Sequence, residues 1–214
     1  MITTVIFDLD GLLADTERLH CLAYQEALQV HGTYLTDDEY AEHWVRSGRG
    51  IGEWLTDHGL SLDPVVLRAY KSRCYLDLLV ADLRPMDGAL PLLQTLQGSK
   101  NLALASSSYR DAVEGVLAGL EIAHFFQVIV TGLDVPHVKP APDIFLAAAK
   151  QLGVPPSECV VVEDAEKGVI AAHLADMRCI AVPNQHTRHH DFSKATRICS
   201  SLNDITLEYL ETLD

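Results

Sequence analysis

The stretch VIFDLDGLLADTE, from Val5 to Glu17, places Asp8 and Asp10 directly after a short apolar run. An unbroken apolar run is typical of a strand that is covered on both faces, as the strands of parallel sheets are. Two carboxylates this close repel each other unless a metal ion, a proton or a covalent bond uses them. The stretch therefore predicts the first strand of a parallel sheet and a chemical site at its end.

Similar apolar runs recur along the chain, and helical stretches separate the later ones. The runs are TTVIF (3–7), NLALA (101–105), VIV (128–130), CVVV (159–162) and CIAV (179–182). Apolar residues recur at helical spacing in DAVEGVLAGL (111–120), DIFLAAAKQLGV (143–154) and AEKGVIAAHLADM (165–177). Strands that alternate with helices in this way predict an α/β fold with a doubly wound, Rossmann-like parallel sheet.

One interval, between the first two of these runs, contains no convincing strand. It holds the amphipathic pieces ERLHCLAYQEALQVHG (17–32), DDEYAEHWVRSG (37–48) and DPVVLRAYKSRCYLDLLV (63–80). A helical insertion that begins just after the paired aspartates would explain them. We therefore expect a catalytic core of residues 1–14 and 83–214, with a helical cap domain of residues 15–82 inserted into it.

The composition excludes several classes of partner. The 214 residues carry a formal net charge of −14, from 30 acidic and 16 basic residues. Nucleic acids and anionic membranes bind basic faces, so neither is expected as the main partner. No apolar run is long enough to cross a bilayer, so no membrane span is expected.

The cysteines and the N-terminus indicate the cellular compartment. The five cysteines are scattered and form no CxxC pair, which argues against a disulfide framework or a zinc site. The opening MITTVIFDLD lacks the basic and apolar regions of a signal peptide. We expect a cytoplasmic protein, and a monomer as the usual state of a capped domain of this size.

Polar side chains follow four successive predicted strands. They are Asp8 and Asp10, the hydroxyls of SSS (106–108), Lys139 in HVKPAP, and the pair Glu163 and Asp164. Ligands of open α/β sheets bind beyond the carboxyl ends of the strands, and a helix start with free amides binds anions. Each group alone has an ordinary explanation, such as a turn, a helix cap or a surface lysine. Their joint order predicts a divalent cation and a phosphoryl group in one crevice.

The same residues carry a family resemblance that covers nearly the whole chain. FDLDGLLADTE, LASSS, VKPAPDIF and VVVEDAEKG resemble the four motifs of haloacid dehalogenase (HAD) superfamily hydrolases. The helical insertion is similar to the small cap of the subfamily that includes sugar-phosphate phosphatases and β-phosphoglucomutase. Two departures are EDA in place of the more frequent EDS, and Asp176 where glycine is common. A positive φ angle, which aspartate tolerates better than most residues, would explain Asp176.

The resemblance implies roles for the two aspartates. Asp8 would be the nucleophile that forms an aspartyl-phosphate intermediate. Asp10 would protonate the leaving group and then activate water as a base. Dehalogenases of this superfamily lack the second aspartate, because halide leaves without a proton. Asp10 therefore points to phosphoryl transfer.

The resemblance also implies a cofactor and a phosphate site. Mg²⁺ would be held by Asp8, the backbone carbonyl of Asp10, and Asp164, with Glu163 assisting, and these oxygen ligands suit that ion. Ser106, Ser107 and Lys139 would bind the phosphoryl oxygens. The expected function is Mg²⁺-dependent hydrolysis of small phosphate monoesters, such as sugar phosphates or similar metabolites.

A phosphosugar mutase similar to β-phosphoglucomutase is the main alternative. His20 and Tyr24 lie one turn apart on the first cap helix, and Lys71 aligns with a mutase cap lysine. In SGRGIGEWL the mutase arginine is replaced by Ile51, although Arg49 is near. We therefore treat His20, Tyr24, Arg49 and Lys71 as candidate substrate residues under either reading.

Two further alternatives are less well supported. An inactive binding or regulatory module on this fold would be expected to lack Asp8 or Asp10, and both are present. A phosphonate-cleaving enzyme needs a Schiff-base lysine near the start of the cap. The first cap helix contains none.

Overall fold

The computed structural model is built around a parallel sheet. It describes residues 1–213, and residue 214, the last of the predicted core segment, lies outside the described residues. Within the described chain the sheet has six strands in the order β3-β2-β1-β4-β5-β6. The strands are β1 (Thr4–Phe7), β2 (Asn101–Ala105), β3 (Val128–Val130), β4 (Cys159–Glu163), β5 (Arg178–Ala181) and β6 (Arg197–Ile198). The first five confirm the predicted runs. Strand β6 has two exposed residues and is too short to form an apolar run, so it was not predicted.

Helices connect the strands and fill the long interval after β1. They are α1 (Glu17–Gln29), α2 (Asp37–Tyr40), α3 (Ile51–Asp57), α4 (Pro64–Asp82), α5 (Ala89–Leu96), α6 (Arg110–Gly119), α7 (Asp143–Leu152), α8 (Glu166–Leu174) and α9 (Leu207–Glu211). A π-helical segment (Ala41–Arg46) continues α2, and 3₁₀ turns lie at Ala123–Phe125, Pro156–Glu158 and Leu202–Asp204. Among residues 1–213, no helix has both the length and the apolar character that a membrane crossing requires.

The predicted helices within the α/β alternation are confirmed as α6, α7 and α8. Helices α3 and α5 were not predicted, because Gly52 and Pro91 weaken the helical signal in these short segments. Pro91 lies in the first turn of α5, where a missing backbone N–H costs little. Asp176 follows α8 with a φ of 55°, which confirms the expected left-handed conformation at that turn.

Both faces of the sheet are covered, as the unbroken apolar runs predicted. Successive residues of a strand point to opposite faces, so the central strands contribute to two separate apolar clusters. On one face lie Val5, Phe7, Leu102, Leu104, Val160 and Val162. On the other lie Ile6, Ala103, Ala105, Val161, Cys179 and Ala181. This burial holds the strands in register, and their carboxyl ends therefore form one edge.

The chain leaves the sheet after Asp10 and returns close to the same point. Ala14 forms a bridge with Pro85, and the amide of Asp15 donates to the carbonyl of Arg84 at 2.9 Å. The amide of Met86 donates to the carbonyl of Leu13 at 3.0 Å. The outgoing and returning connections therefore lie side by side, near the predicted limits of the cap.

The intervening helices have an apolar cluster of their own. It includes Leu28, Tyr40, Ile51, Trp54 and Leu67. Helices α1 and α4 also pack on each other, and α4 packs on α6 of the core. This arrangement supports a cap of residues 15–82 that rests on the core through α4, and its limits stay a prediction.

Candidate active site

A cleft with a volume of about 330 Å³ lies between the carboxyl edge of the sheet and helices α1 and α4. Most predicted site residues line it: Asp8, Asp10, His20, Tyr24, Arg49, Lys71, Ser107, Lys139, Glu163 and Asp164. Ser106 does not line the cleft, but its hydroxyl contacts Asp10 directly. The structure thus brings all the predicted residues to one place.

Strand register explains why the residues from the sheet meet. Phe7 at the end of β1 is paired with Leu104 of β2 on one side and with Val162 of β4 on the other. The next residue of β1, Asp8, donates its amide to the carbonyl of Val162 at 3.1 Å. Groups that follow the three strands therefore stand at one level of the sheet edge.

Lys139 joins two carboxylates in the buried part of the cleft. Its ammonium donates to Asp8 Oδ1 and, at 2.7 Å, to Glu163 Oε1. Burial works to lower the pKa of Lys139, but the two carboxylates outweigh burial and raise it above its usual value. Lys139 is therefore a fixed positive charge beside Asp8.

Three carboxylates form a group with the dimensions of a cation site. Ligand oxygens of Asp8, Glu163 and Asp164 all lie within 4.8 Å of one another, and all three side chains are buried. Burial raises the pKa of Asp8 to about 7, with Lys139 opposing and Glu163 acting in the same direction. Burial and the neighbouring carboxylates also raise the pKa of Asp164 well above its usual value. Carboxylate oxygens are hard ligands, and three buried carboxylates carry more negative charge than Lys139 alone offsets. The group therefore fits a divalent cation such as Mg²⁺.

Asn184, which follows β5, holds Asp164 against the exit of β1. Its amide nitrogen donates to Asp164 Oδ2 at 2.8 Å and to the carbonyl of Gly11 at 2.9 Å. Gly11 has a φ of +81°, and a Cβ there would lie 2.7 Å from Asp164 Oδ2. Only glycine satisfies both the backbone conformation and this approach.

Glu163 is held by donors on both oxygens. Lys139 occupies Oε1, while the amides of Asp164 and Ala165 each donate to Oε2 at 2.9 Å. Gly168 of α8 makes room for this carboxylate, because a Cβ at residue 168 would lie 1.8 Å from Glu163 Oε1. The glycine in EKG is therefore required by the packing of a site residue.

We expect Gly168→Ala to destabilise the fold. Glu163 cannot move away without breaking its hydrogen bonds, so the clash should cost about 1–3 kcal/mol, as overpacked sites do. Equilibrium unfolding in urea would measure the loss. Helix propensity alone predicts the opposite sign, since alanine is favoured over glycine inside a helix.

Gly52→Ala is the matched control for this substitution. Gly52 also lies inside a helix, α3. A Cβ added at residue 52 would lie 4.0 Å from its nearest neighbour, the Cβ of Pro64, so it would meet no clash. This variant should be unchanged or more stable by up to about 1 kcal/mol. Equal stability of the two variants would contradict the packing argument for Gly168.

Asp10 is surrounded by hydrogen-bond donors. Thr16 Oγ1 donates to its Oδ1 at 2.7 Å, and the hydroxyls of Ser106 and Ser108 donate to its Oδ2 at 3.1 and 2.7 Å. His20 Nε2 lies 3.3 Å from Oδ1. Burial works to raise the pKa of Asp10, but the contacts with His20, Thr16 and Ser108 outweigh it and hold the pKa well below its usual range.

His20 links Asp10 to Lys71 of helix α4. The Nδ1 atom of His20 lies 2.6 Å from Lys71 Nζ, and its ring stacks on Tyr75 with the centroids 4.0 Å apart. Burial and the charge of Lys71 lower the pKa of His20. Burial also lowers the pKa of Lys71, to about 8, although the negative charge of Asp10 acts to raise it. The ammonium of Lys71 lies 5.1 Å from the ring centroid of Tyr24.

The remaining predicted residues differ in how they are engaged. Arg49 lines the cleft, but its guanidinium contacts Asp57 at 2.7 Å and Glu53 at 3.3 Å. The Ser107 hydroxyl is buried and has no hydrogen-bond partner among the residues described. Ser107 is thus an available donor, whereas Arg49 is paired with carboxylates.

Two contributors to the site, Thr16 and Asn184, were missed by sequence reasoning, and a third, Ser108, was placed at the site without a role. Thr16 precedes α1, where a hydroxyl usually caps the helix, yet here it makes no capping bond and donates to Asp10. Ser108 belongs to the SSS run, whose composition was a usable signal. Asn184 reaches Gly11 from 173 residues away in the sequence, which no local pattern indicates.

Comparison with known proteins extends this description. A family model described as haloacid dehalogenase-like hydrolase matches residues 2–176. The fructose-1-phosphate phosphatase YqaB of Escherichia coli is 32% identical over 184 residues, covering 83% of this chain and 95% of its own length.

Two solved structures share the whole architecture. CbbY from Rhodobacter sphaeroides, in complex with phosphate, superposes with a TM-score of 0.91 at 29% identity and covers 99% of this chain and 100% of its own. The β-phosphoglucomutase of Clostridium difficile superposes with a TM-score of 0.84 at 27% identity, covering 100% of this chain and 97% of its own.

Proposed function

The chain belongs to the haloacid dehalogenase-like hydrolase family, and we propose that it is a Mg²⁺-dependent phosphatase of small phosphate monoesters. The observation that carries the proposal is the second aspartate, Asp10, held by four donors beside Asp8 in the cleft. A reaction that expels an alkoxide needs such a proton carrier next to the nucleophile. The likeness to a fructose-1-phosphate phosphatase supports the same reaction class.

In the first step the carboxylate of Asp8 attacks phosphorus and forms an aspartyl phosphate. Lys139 already lies against Asp8, so its charge is in place to offset the negative charge of the arriving phosphoryl group. The unpartnered hydroxyl of Ser107 and the hydroxyl of Ser106 supply further donors to the phosphoryl oxygens. Ser106 at present donates to Asp10, so a bound phosphoryl group competes with Asp10 for that hydroxyl.

Asp10 handles the proton in both half-reactions. To protonate the leaving oxygen in the first, Asp10 must carry a proton, so substrate binding has to displace the donors that hold its pKa low in this structure. As a carboxylate it takes a proton from the attacking water in the second. His20 and Lys71 stand behind it, on the cap side of the cleft. Through this chain of contacts the position of the cap is linked to the position of Asp10.

Asp8, Glu163 and Asp164 are the residues that would hold Mg²⁺, with the backbone carbonyl of Asp10. When bound, the ion supplies positive charge that offsets the repulsion between these carboxylates and the phosphoryl group. The clustering of their oxygens and the raised pKa values of Asp8 and Asp164 support this assignment. One wall of the cleft comes from residues 15–82, so we propose that this cap selects a small phosphorylated metabolite.

Removal of metal provides the first test. We expect EDTA to abolish hydrolysis of phosphate monoesters and Mg²⁺ to restore it, because uncompensated carboxylates would repel the substrate. Phosphate release from a panel of hexose, pentose and nucleoside phosphates would measure this. Undiminished turnover in metal-free buffer would contradict the metal assignment.

A mutase is the second candidate function, favoured by the contact of His20 with both Asp10 and Lys71. The likeness to a β-phosphoglucomutase is consistent with it, although Ile51 replaces the mutase arginine. Arg49 is already paired with Glu53 and Asp57, which argues against its taking over the role of the mutase arginine.

The two candidates give different products from one incubation. With β-glucose 1-phosphate and a catalytic amount of β-glucose 1,6-bisphosphate, we expect release of inorganic phosphate, because water reaches the phosphoenzyme. Coupled assays for phosphate and for glucose 6-phosphate would distinguish the products. Fast, stoichiometric formation of glucose 6-phosphate would instead establish the mutase.

A further inference from the structure

Five of the 16 lysines and arginines of the chain line the cleft, together with six carboxylates. The lysines and arginines that line it are Arg49, Arg68, Lys71, Lys139 and Lys167. Lys139 is paired with Asp8 and Glu163, and Arg49 is paired with Glu53 and Asp57. Among the residues described, the other three have no carboxylate partner within ion-pair distance.

These three cations differ in what they contact. Lys71 is buried and lies against His20, so it belongs to the proton-handling end of the cleft. Lys167 contacts the carbonyl of Trp44 at 3.5 Å. Arg68 is half-buried, and its single hydrogen bond in the described chain is to the neutral hydroxyl of Tyr109. A guanidinium has five N–H donors, so most of its donors are unused.

Tyr109 holds the guanidinium in position. The Cζ atom of Arg68 lies 4.9 Å from the Tyr109 ring centroid, within the range of a cation–π contact. A planar guanidinium fixed on a ring is preorganised for bidentate binding of a carboxylate or a phosphate. Because the long side chain is already ordered, ligand binding does not have to include the entropic cost of ordering it.

The place of Arg68 in the cleft indicates which part of a substrate it meets. Tyr109 directly follows Ser108, whose hydroxyl contacts Asp10 at 2.7 Å. Asp10 is the residue assigned to the leaving oxygen, whereas Lys139 and Ser107 are assigned to the phosphoryl group. Arg68 and Lys71 are three residues apart on α4 and so share one helix face. Arg68 therefore faces the leaving group.

We infer that Arg68 is a specificity-determining residue that binds a second anionic group, a carboxylate or a phosphate, on the leaving group of the ester. The inference rests on the proposed phosphatase activity and adds a substrate class to it. Asp111 also lines the cleft, but no ion pair within the described residues joins it to Arg68. The guanidinium is thus available to an anion from the substrate.

Matched pairs of substrates test this inference. One pair is 2-phosphoglycolate and 2-hydroxyethyl phosphate, which differ in a carboxylate; the other is fructose 1,6-bisphosphate and fructose 1-phosphate, which differ in a phosphate. The wild-type enzyme should prefer the anionic member of at least one pair by about 10-fold or more in kcat/KM, since hydrogen bonds to charged groups are the strong ones. The pair that shows the preference identifies the anion.

Substitution of Arg68 should remove that preference. We expect Arg68→Gln to lower kcat/KM for the preferred anionic substrate by about 10- to 100-fold, mainly through KM, and to change its neutral partner by less than about 3-fold. Arg68→Lys should retain part of the preference, because the charge stays and the planar fork is lost. Arg73→Gln is the matched control, since Arg73 also lies on α4 over a tyrosine ring but is exposed and does not line the cleft.

The outcomes separate the two proposals. Equal kcat/KM within both pairs for the wild-type enzyme would overturn the role of Arg68 and leave the phosphatase intact. Equal losses for both members of a pair in Arg68→Gln would also overturn it, and would assign the Arg68–Tyr109 contact to cap closure. Failure of the wild-type enzyme on all four substrates and on nitrophenyl phosphate would overturn the proposed function itself.

Discussion

Asp8→Asn is expected to abolish turnover of every phosphate ester, whatever its leaving group. An amide cannot act as the nucleophile that forms an acyl phosphate, and removal of a catalytic nucleophile can cost of the order of 10⁶-fold in kcat. The substitution preserves the shape of the side chain, and Lys139 keeps its contact with Glu163. Phosphate release from nitrophenyl phosphate, a substrate that needs no leaving-group proton, would measure the loss most sensitively.

Asp15→Asn is the control for this variant. Asp15 lies on the same connection after β1, but it does not line the catalytic cleft. It should retain close to wild-type activity and the same thermal unfolding midpoint as Asp8→Asn. Substantial turnover by Asp8→Asn, with the fold intact, would contradict the assignment of the nucleophile.

Asp10→Asn should fail in a different way, because it removes a proton carrier and leaves the nucleophile. General acid–base catalysis contributes about 10²–10⁴-fold, so losses of that order are expected with alkyl phosphates. The first step with nitrophenyl phosphate should be much less affected, since nitrophenolate leaves without a proton. The second step still needs Asp10 as a base, so a burst of nitrophenol should precede slow turnover.

Stopped-flow absorbance would resolve the burst, with an alkyl phosphate followed in parallel by rapid quench. Asparagine keeps one acceptor oxygen, so it can still accept from Thr16 or from Ser108, and the other hydroxyl can turn to accept from the amide NH₂, which should limit the effect on folding. Equal loss of the first step for both substrates would show that Asp10 does not act as the proton donor.

The sequence predicts which candidate site residues meet, because these residues follow strands. Parallel strands in register end at one edge, so residues placed after β1 and β4 had to meet if the strands were assigned correctly. The same rule places Asp8, Asp10, Lys139 and Asp164 at one edge of the sheet. It depends on two simple signals, unbroken apolar runs and helical spacing.

The partners of these residues were not predictable in the same way. Asn184 touches both Asp164 and Gly11 because the loop after β5 bends back over the exit of β1. Gly168 is required because Glu163 occupies the space next to its Cα. Both contacts depend on the path of loops and on the direction of one side chain, which periodicity does not encode.

In the cap, one side-chain contact has a local sequence signal and another has none. Arg49 and Glu53 are four residues apart, a spacing that favours an ion pair on a helix, and the structure places them 3.3 Å apart. Arg68, in contrast, lies in an ordinary amphipathic helix with no motif around it. Its contact with Tyr109 becomes visible only when α4 is packed on the core.

Detection of phosphorylated Asp8 is the most direct test of the central claim, which is catalysis through an aspartyl phosphate. Asp10→Asn would be mixed with nitrophenyl phosphate and Mg²⁺, quenched in acid during the burst, and analysed by intact-protein and peptide mass spectrometry. We predict the mass of one added phosphoryl group, located on the peptide that contains Asp8 and matching the burst of nitrophenol in amount. A burst without any phosphorylated protein, or a phosphoryl group on another residue, would contradict the mechanism.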